Sequence, residues 1–184
     1  MQANPEYRLR QPEPADVEAL YLYLNDPWIV SEAGCFSGGL AHADVSEWID
    51  SQRRSKDDFV WVITNMEGRC IGHCGLYHIN SRNGSAELVL CIGDADSRHQ
   101  GIGETVGRIL LRYSFAQLNL HRLRAQAMKA NVVAARLLHK LGFSQEAGLR
   151  EVTFRDGQFQ DWLVFGILQR EWQSLTGDSL GDRR

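Results

Sequence analysis

The 184 residues contain no run of about 18 apolar residues, the length a helix needs to span a bilayer. The opening stretch, MQANPEYRLRQPEP, lacks the apolar centre of a signal peptide. Both absences point to a cytoplasmic protein with no membrane partner. Cysteine is scarce. Cys35, Cys70, Cys74 and Cys91 do not make a disulfide framework in a chain of this length. A surplus of one charge is lacking too. The formal net charge of −3 gives no electrostatic attraction to nucleic acid. There is no internal repeat and no low-complexity linker. Two nucleotide-binding patterns are also missing. G-x-G-x-x-G fails because Val106 stands where the third glycine belongs and Gly107 is one place late. The lysine–hydroxyl pair of a phosphate loop is absent. These absences disfavour a nucleotide-dependent oxidoreductase.

What is present centres on Glu87 to Glu104, ELVLCIGDADSRHQGIGE. Leu88 to Ile92 is an apolar run that reads as a buried strand. Arg98 to Gly103 then opens an amphipathic segment. Ile102, Val106, Ile109, Leu110, Tyr113 and Leu118 recur along it at helical spacing. A strand that feeds a glycine-bearing turn into a helix leaves N–H groups unpaired and pointing one way. The helix dipole adds partial positive charge there, so such a turn suits a pyrophosphate. Gly101 and Gly103 let the backbone approach phosphates with no side chain between.

Along the chain, Tyr7 to Arg10 reads as a short strand. A helix runs from Pro14 to about Leu24, with Val17, Leu20, Tyr21 and Leu24 as its apolar face. Asn25-Asp26-Pro27 stops it, and Trp28 to Leu40 reads as a loop. Asp44-Val45-Ser46-Glu47 resembles a capping box opening a second helix, with Val45, Trp48, Ile49 and Gln52 on one side. Phe59 to Thr64 and Arg69 to Ile79 form a hairpin around Asn65-Met66-Glu67-Gly68. Asn83-Gly84 turns into the Glu87 strand. Beyond the glycine helix come a strand over 122–128 and a helix that Asn131 can cap and Gly142 can end. Ser144 to Phe154 and Phe159 to Leu168 make a last hairpin. The order is β-α-α-β-β-β-α-β-α-β-β. One domain over 1–176 with a sizeable core is expected, followed by a flexible polar tail over 177–184. The meander before the glycine loop argues against an open Rossmann sheet.

Arg98 to Gly103, R-x-x-G-x-G, resembles the acetyl-CoA pyrophosphate loop of the GCN5-related N-acetyltransferases (GNAT). Asn131 to Phe143, NVVAARLLHKLGF, is similar to that family's second helix motif. Leu9-Arg10, Asn25-Asp26-Pro27 and the stretch from Arg155 to Asp161 look like the branch holding ribosomal-protein N-terminal and spermidine acetyltransferases. The resemblance spans nearly the whole chain. It implies an α/β (α+β) fold, a mixed, mostly antiparallel twisted sheet of about seven strands flanked by about four helices. It also implies acetyl-CoA as co-substrate, with direct transfer to an amine in a ternary complex.

The family's site residues map onto this chain as follows. Cys91, Ile92 and Gly93 end the central strand, beside which the family has a splay whose backbone groups hold the pantetheine amides. Arg98, His99, Gln100, Gly101, Ile102, Gly103 and Glu104 correspond to the pyrophosphate loop, acting mainly through the backbone. Asn131 corresponds to a further cofactor contact, beside its plain role as a helix cap. Glu87, in the spacing Glu-x-x-x-Cys with the first loop glycine fourteen residues on, resembles the glutamate that takes the amine's proton. A carboxylate base working near neutral pH needs partial burial. Its bland alternatives are a solvated strand-end glutamate or one paired with an arginine. The family's thiolate acid, a tyrosine seven residues after the helix asparagine, is Leu138 here, and the alternative serine is Ala134. No pattern singles out His78, His139 or Tyr113 in its place. Asp161 corresponds to an aspartate near the acceptor pocket. Trp28, Phe36 and Trp48 are candidate apolar walls.

Cys70, His73, Cys74 and His78 do not form a metal site. Residues four apart on a strand are separated by about 13 Å, and His73 faces away from the other three by alternation. Zinc needs bonds of about 2.0–2.3 Å. The expected partners are therefore acetyl-CoA and a small-molecule or peptide amine, with no metal, no nucleic acid and an open question of homodimerisation. A protein N-terminus, a polyamine or aminoglycoside, and an amino sugar all remain as acceptors. A non-catalytic acyl-CoA sensor is the rival from another class, favoured by Leu138 and by any salt bridge that seals Glu87.

Overall fold

A computed structural model describes residues 7–33, 39–155 and 157–177. Cys35, Phe36, Asp156 and the 178–184 tail lie outside the described residues. The strands are β1 (Tyr7–Arg10), β2 (Phe59–Asn65), β3 (Cys70–Asn80), β4 (Ser85–Ile92), β5 (Arg122–Met128), β6 (Ser144–Arg155) and β7 (Gln158–Leu168). The helices are α1 (Val17–Leu24), α2 (Pro27–Ala33), α3 (His42–Arg54), α4 (Ile102–Arg112), α5 (Val132–Lys140) and α6 (Gln169–Thr176). All seven strands join one sheet in the order β1-β2-β3-β4-β5-β7-β6. Every pairing is antiparallel except β4 with β5. The sheet is thus mixed and mostly antiparallel, as the resemblance implies.

The alternation of each strand sorts its side chains into two cores. On one face Leu123, Ala125 and Ala127 of β5 pack with Val106, Leu110 and Leu111 of α4, Leu138 of α5 and its C-cap Leu141, and Trp172 of α6. On the other face Val62 and Cys70 pack with Leu20 and Tyr23 of α1 and Val45 and Ile49 of α3. Removing a fully buried aromatic such as Phe115 or Phe165 costs about 3–5 kcal/mol in such a core.

Several elements differ from expectation, each for a local reason. Asn25-Asp26-Pro27 ends α1 and also begins α2. The Asp26 carboxylate accepts from the Trp28 amide at 2.7 Å, and Pro27 occupies the first turn, where its missing N–H costs nothing. Part of the expected loop is therefore helix. The α3 cap is shifted: Ala41 is the N-cap and Asp44 the third helical residue, whose carboxylate accepts from the Ala41 amide at 2.7 Å. After β7 a further helix, α6, starts where Glu171 accepts from the Leu168 amide at 2.9 Å. A register shift between Ile63 and Thr64, opposite the start of β3, breaks the simple alternation there. Cys70 consequently packs in the α1/α3 core with His73 nearby, while Cys74 packs in the other core. His73 thus shares its face with Cys70, contrary to strict alternation.

Candidate active site

β4 and β5 are hydrogen-bonded over a short span only. Ser85, Ala86 and Glu87 pair with Arg122, Leu123 and Arg124, and beyond that point the strands diverge. β4 runs on to Ile92 against β3 alone. The Gly93 amide donates to the Ile71 carbonyl of β3 at 2.9 Å. In an antiparallel pair successive residues point their polar backbone groups to opposite sides, so the groups of Leu90 and Ile92 face the open edge. The splay expected from the family resemblance is present, and its vertex is the Glu87–Arg124 pair.

Tyr23 fills the space over Gly93, where a side chain would overlap its ring. The Tyr23 hydroxyl lies 2.8 Å from His73 Nδ1. Burial pushes the Tyr23 hydroxyl well up and the His73 imidazole down to about 4. Cys91 packs on the edge of this same core. Desolvation pushes the thiols of Cys70, in this core, and Cys74, in the other, up to about 11 and about 12, so both are inert. Among the described residues no group of His, Cys, Asp or Glu is arranged to hold a metal, and no helix is long and apolar enough to cross a membrane.

After β4 the chain makes a short 3₁₀ turn, capped by Asp94, whose carboxylate accepts from the Ser97 amide at 3.1 Å. His99 (φ 61°) and Gly101 (φ 79°) then take left-handed conformations that redirect the chain into α4. For Gly101, the N-cap, this costs little; a β-carbon there meets no neighbour but would strain the backbone. The amides of Ile102, Gly103 and Glu104 have no acceptor within the helix. Gly103 also serves packing, since a β-carbon would stand 3.3 Å from Leu90 and from Leu137. The Glu104 side chain turns away to Arg108 at 2.8 Å and Lys140 at 3.7 Å.

Arg98 does not extend from the loop. Its Nη2 donates to the Gly93 carbonyl at 2.6 Å and its Nε to the Ile92 carbonyl at 3.3 Å. Its guanidinium stacks 4.0 Å over Trp28 and pairs with Asp26 at 3.5 Å. Arg98 thereby ties α2 to the end of β4. Asn131 ties the same helix from the other side. Its Oδ1 accepts from the Ala134 amide at 2.8 Å, capping α5, and its Nδ2 donates to the Glu32 carbonyl at 2.9 Å. Arg155 donates to the Ser31 carbonyl.

Glu87 accepts from Arg124 Nη2 at 2.8 Å, and its side chain remains 20% exposed. The arginine pairing weighed from the sequence is real, but it does not seal the carboxylate. Leu138 is buried in the α4/α5 core. Tyr113 packs edge-on to Trp61 and His139 edge-on to Phe165, both at ring contacts in the same layer. Asp161 is held low by Lys129 at 3.0 Å and by the Glu151 amide at 3.1 Å. Arg124 and α2 were not singled out from the sequence, because their roles depend on the parallel register and on contacts between distant segments.

The family model described as acetyltransferase (GNAT) domain matches residues 7–144. Among curated proteins, the N-acetyltransferase p20 of Bacillus licheniformis is 29% identical over 89% of this chain and 93% of its own. A spermidine N(1)-acetyltransferase of Vibrio cholerae is 33% identical over 61% of this chain and 64% of its own. Among solved structures, the spermidine N-acetyltransferase from Vibrio cholerae in complex with CoA and spermine superposes with a TM-score of 0.84. It is 26% identical and the match covers 92% of this chain and 99% of that one.

Proposed function

Because this chain belongs to the acetyltransferase (GNAT) family, we propose that it moves an acetyl group from acetyl-CoA to a primary amine by direct transfer in a ternary complex. The observation that carries this reading is the divergence of β4 from β5 at Glu87, followed within the same stretch by the left-handed turn at Gly101 into α4. Acetyl-CoA supplies the acyl group as an activated thioester. The outward backbone groups of Leu90 and the outward amide of Ile92 orient its amide-bearing arm. The first-turn amides of α4, with the helix dipole, hold its pyrophosphate. His99, Gln100 and Gly101 shape that loop, and Cys91, Gly93, Arg98 and Asn131 hold the strand end and α2 in place.

Glu87 takes a proton from the acceptor ammonium, directly or through one water. The freed nitrogen lone pair forms the C–N bond as the C–S bond breaks. The nitrogen then gives up its second surplus proton, and the thiolate takes one from solvent. The sum is an amide, a free thiol and one proton released. Leu138 and Ala134 offer no proton to the sulfur. A protein N-terminus, a polyamine or aminoglycoside, and an amino sugar are the acceptors to be compared. The β6–β7 hairpin is our site for contact between two copies of the chain, since Phe154 and Phe159 project from it 63% and 60% exposed.

The test is free-thiol release from acetyl-CoA across a panel of amines, for wild type and Glu87→Gln. We expect one amine class to turn over and kcat to fall about 10²–10⁴-fold in the variant while acetyl-CoA still binds. Leu138 favours one rival, an acyl-CoA sensor, whereas a Glu87 left 20% exposed by its bridge to Arg124 does not. Tight acetyl-CoA binding with no amine turned over supports that rival. Failure to bind acetyl-CoA overturns both.

A further inference from the structure

We infer that the acceptor is a primary amine carrying an anionic group a few bonds from its nitrogen, held by Arg124; the inference rests on the acetyltransferase function proposed above and names the substrate class within it. The ground for it is a row of charges on one face of the sheet. Arg122 and Arg124 are two apart on β5 and so share a face. Arg124 pairs with Glu87 of β4 at 2.8 Å. Arg122 forms two hydrogen bonds with the carboxylate of Glu146 on β6, reaching across β7. The crossing is possible because Gly166 of β7 lies beneath, where a side chain would overlap the Glu146 carboxylate. The mutual pairing holds the Glu146 carboxyl low and the Arg122 guanidinium high, so this second pair is closed on itself. The row Glu87–Arg124, Arg122–Glu146 is neutral in sum.

Three other carboxylates near this face have cationic partners. Asp161 pairs with Lys129 at 3.0 Å, Asp26 with Arg98 at 3.5 Å, and Glu18 with His42 at 2.9 Å.

An amine that reaches Glu87 therefore arrives beside a guanidinium that is 49% exposed and gives Glu87 a single hydrogen bond, from Nη2. A polyamine would bring further ammonium groups beside the exposed Arg124 guanidinium. Like charges in a partly desolvated cleft repel more strongly than in water. A carboxylate or phosphate beside the amine reverses the balance. The ammonium goes to Glu87, and the anion accepts from the remaining donors of the Arg124 fork, a geometry matched to both anions. Arg124 is then a specificity residue that touches the acceptor, distinct from the base beside it. Here the chain parts from the polyamine acetyltransferases it resembles in fold.

The experiment compares matched acceptors by free-thiol release. Amino acids and an aminoalkyl phosphate are set against the corresponding amides and simple monoamines, with spermidine alongside. In wild type we expect kcat/KM to be about ten- to hundredfold higher for the anion-bearing member of a pair, the weight of one charge-assisted contact. The two arms separate carboxylate from phosphate. Arg124→Gln should abolish the preference, mainly through KM for the acceptor, and Arg124→Lys should restore part of it. Retained acetyl-CoA binding shows that each variant is folded. Spermidine outrunning the anion-bearing amines in wild type overturns the inference and leaves the acetyltransferase function standing. So does a preference unchanged in a folded Arg124→Gln. Absence of turnover with every amine overturns both together.

Discussion

Asn131 serves two helices with one side chain, its Oδ1 capping α5 and its Nδ2 donating to the carbonyl end of α2. Asn131→Asp keeps the acceptor and removes the donor. We expect α5 to be preserved while amide hydrogen exchange over 27–33 speeds up; unchanged exchange there would refute the link. Asn131→Ala loses both contacts and should cost about 1 kcal/mol or more of stability. His73 supplies a pH test. Its folded value, lowered to about 4 by burial, lies below the unfolded value near 6.5, so the unfolded chain binds the extra proton. The associated stability is present above pH ~6.5 and is lost as pH falls toward 4, by on the order of 3 kcal/mol. Urea midpoints from pH 7 to pH 4.5 should fall in wild type and flatten in His73→Gln. The cap at Asn131 was readable from the sequence because a cap is local. Its bond to Glu32, 99 residues away, was not, and neither was the Glu87–Arg124 pair, which needs the β4–β5 register.

At the scale of elements, α4 is set by two left-handed residues, His99 and Gly101, and by the absence of a side chain at Gly103. Gly101→Val places a β-branched residue at φ 79° in open space, so the strain falls on the turn and not on the core. We expect about 1–2 kcal/mol of local cost. Acetyl-CoA affinity, read by calorimetry, should drop more than tenfold while the far-ultraviolet spectrum stays unchanged. This strand–turn–helix unit was legible because strand period, glycine turn and helical period follow one another without a break. The loop expected over 28–40 was only partly correct. Asp26-Pro27 is a stop signal and a start signal at once, and nothing local says that both apply. The α3 start was read at Asp44 because an acidic residue at the third helical position looks like a cap when the true cap is Ala41. α6 carries its own marks in Glu171 and Gly177 but is short and follows directly on β7.

Over the whole molecule, the sheet order could not be read from periodicity, since it depends on β7 inserting between β5 and β6. The insertion leaves β6 as an edge strand exposed along nearly its whole length, with Leu149, Val152 and Phe154 outward. Exposed apolar edges of this kind invite pairing. Light scattering should show self-association of the wild type, reduced by Phe154→Lys with Phe159→Lys; a wild type that stays monomeric at high concentration would remove the hairpin contact. A different consequence follows from the irregular register at the start of β3. It sends Cys70 and Cys74, four residues apart, into opposite layers of the molecule. Each thiol is shielded until its own layer opens. Timed alkylation read by mass spectrometry would therefore clock the two layers separately within one unlabelled chain, and show whether the α1/α3 layer breathes before the α4/α5 layer does.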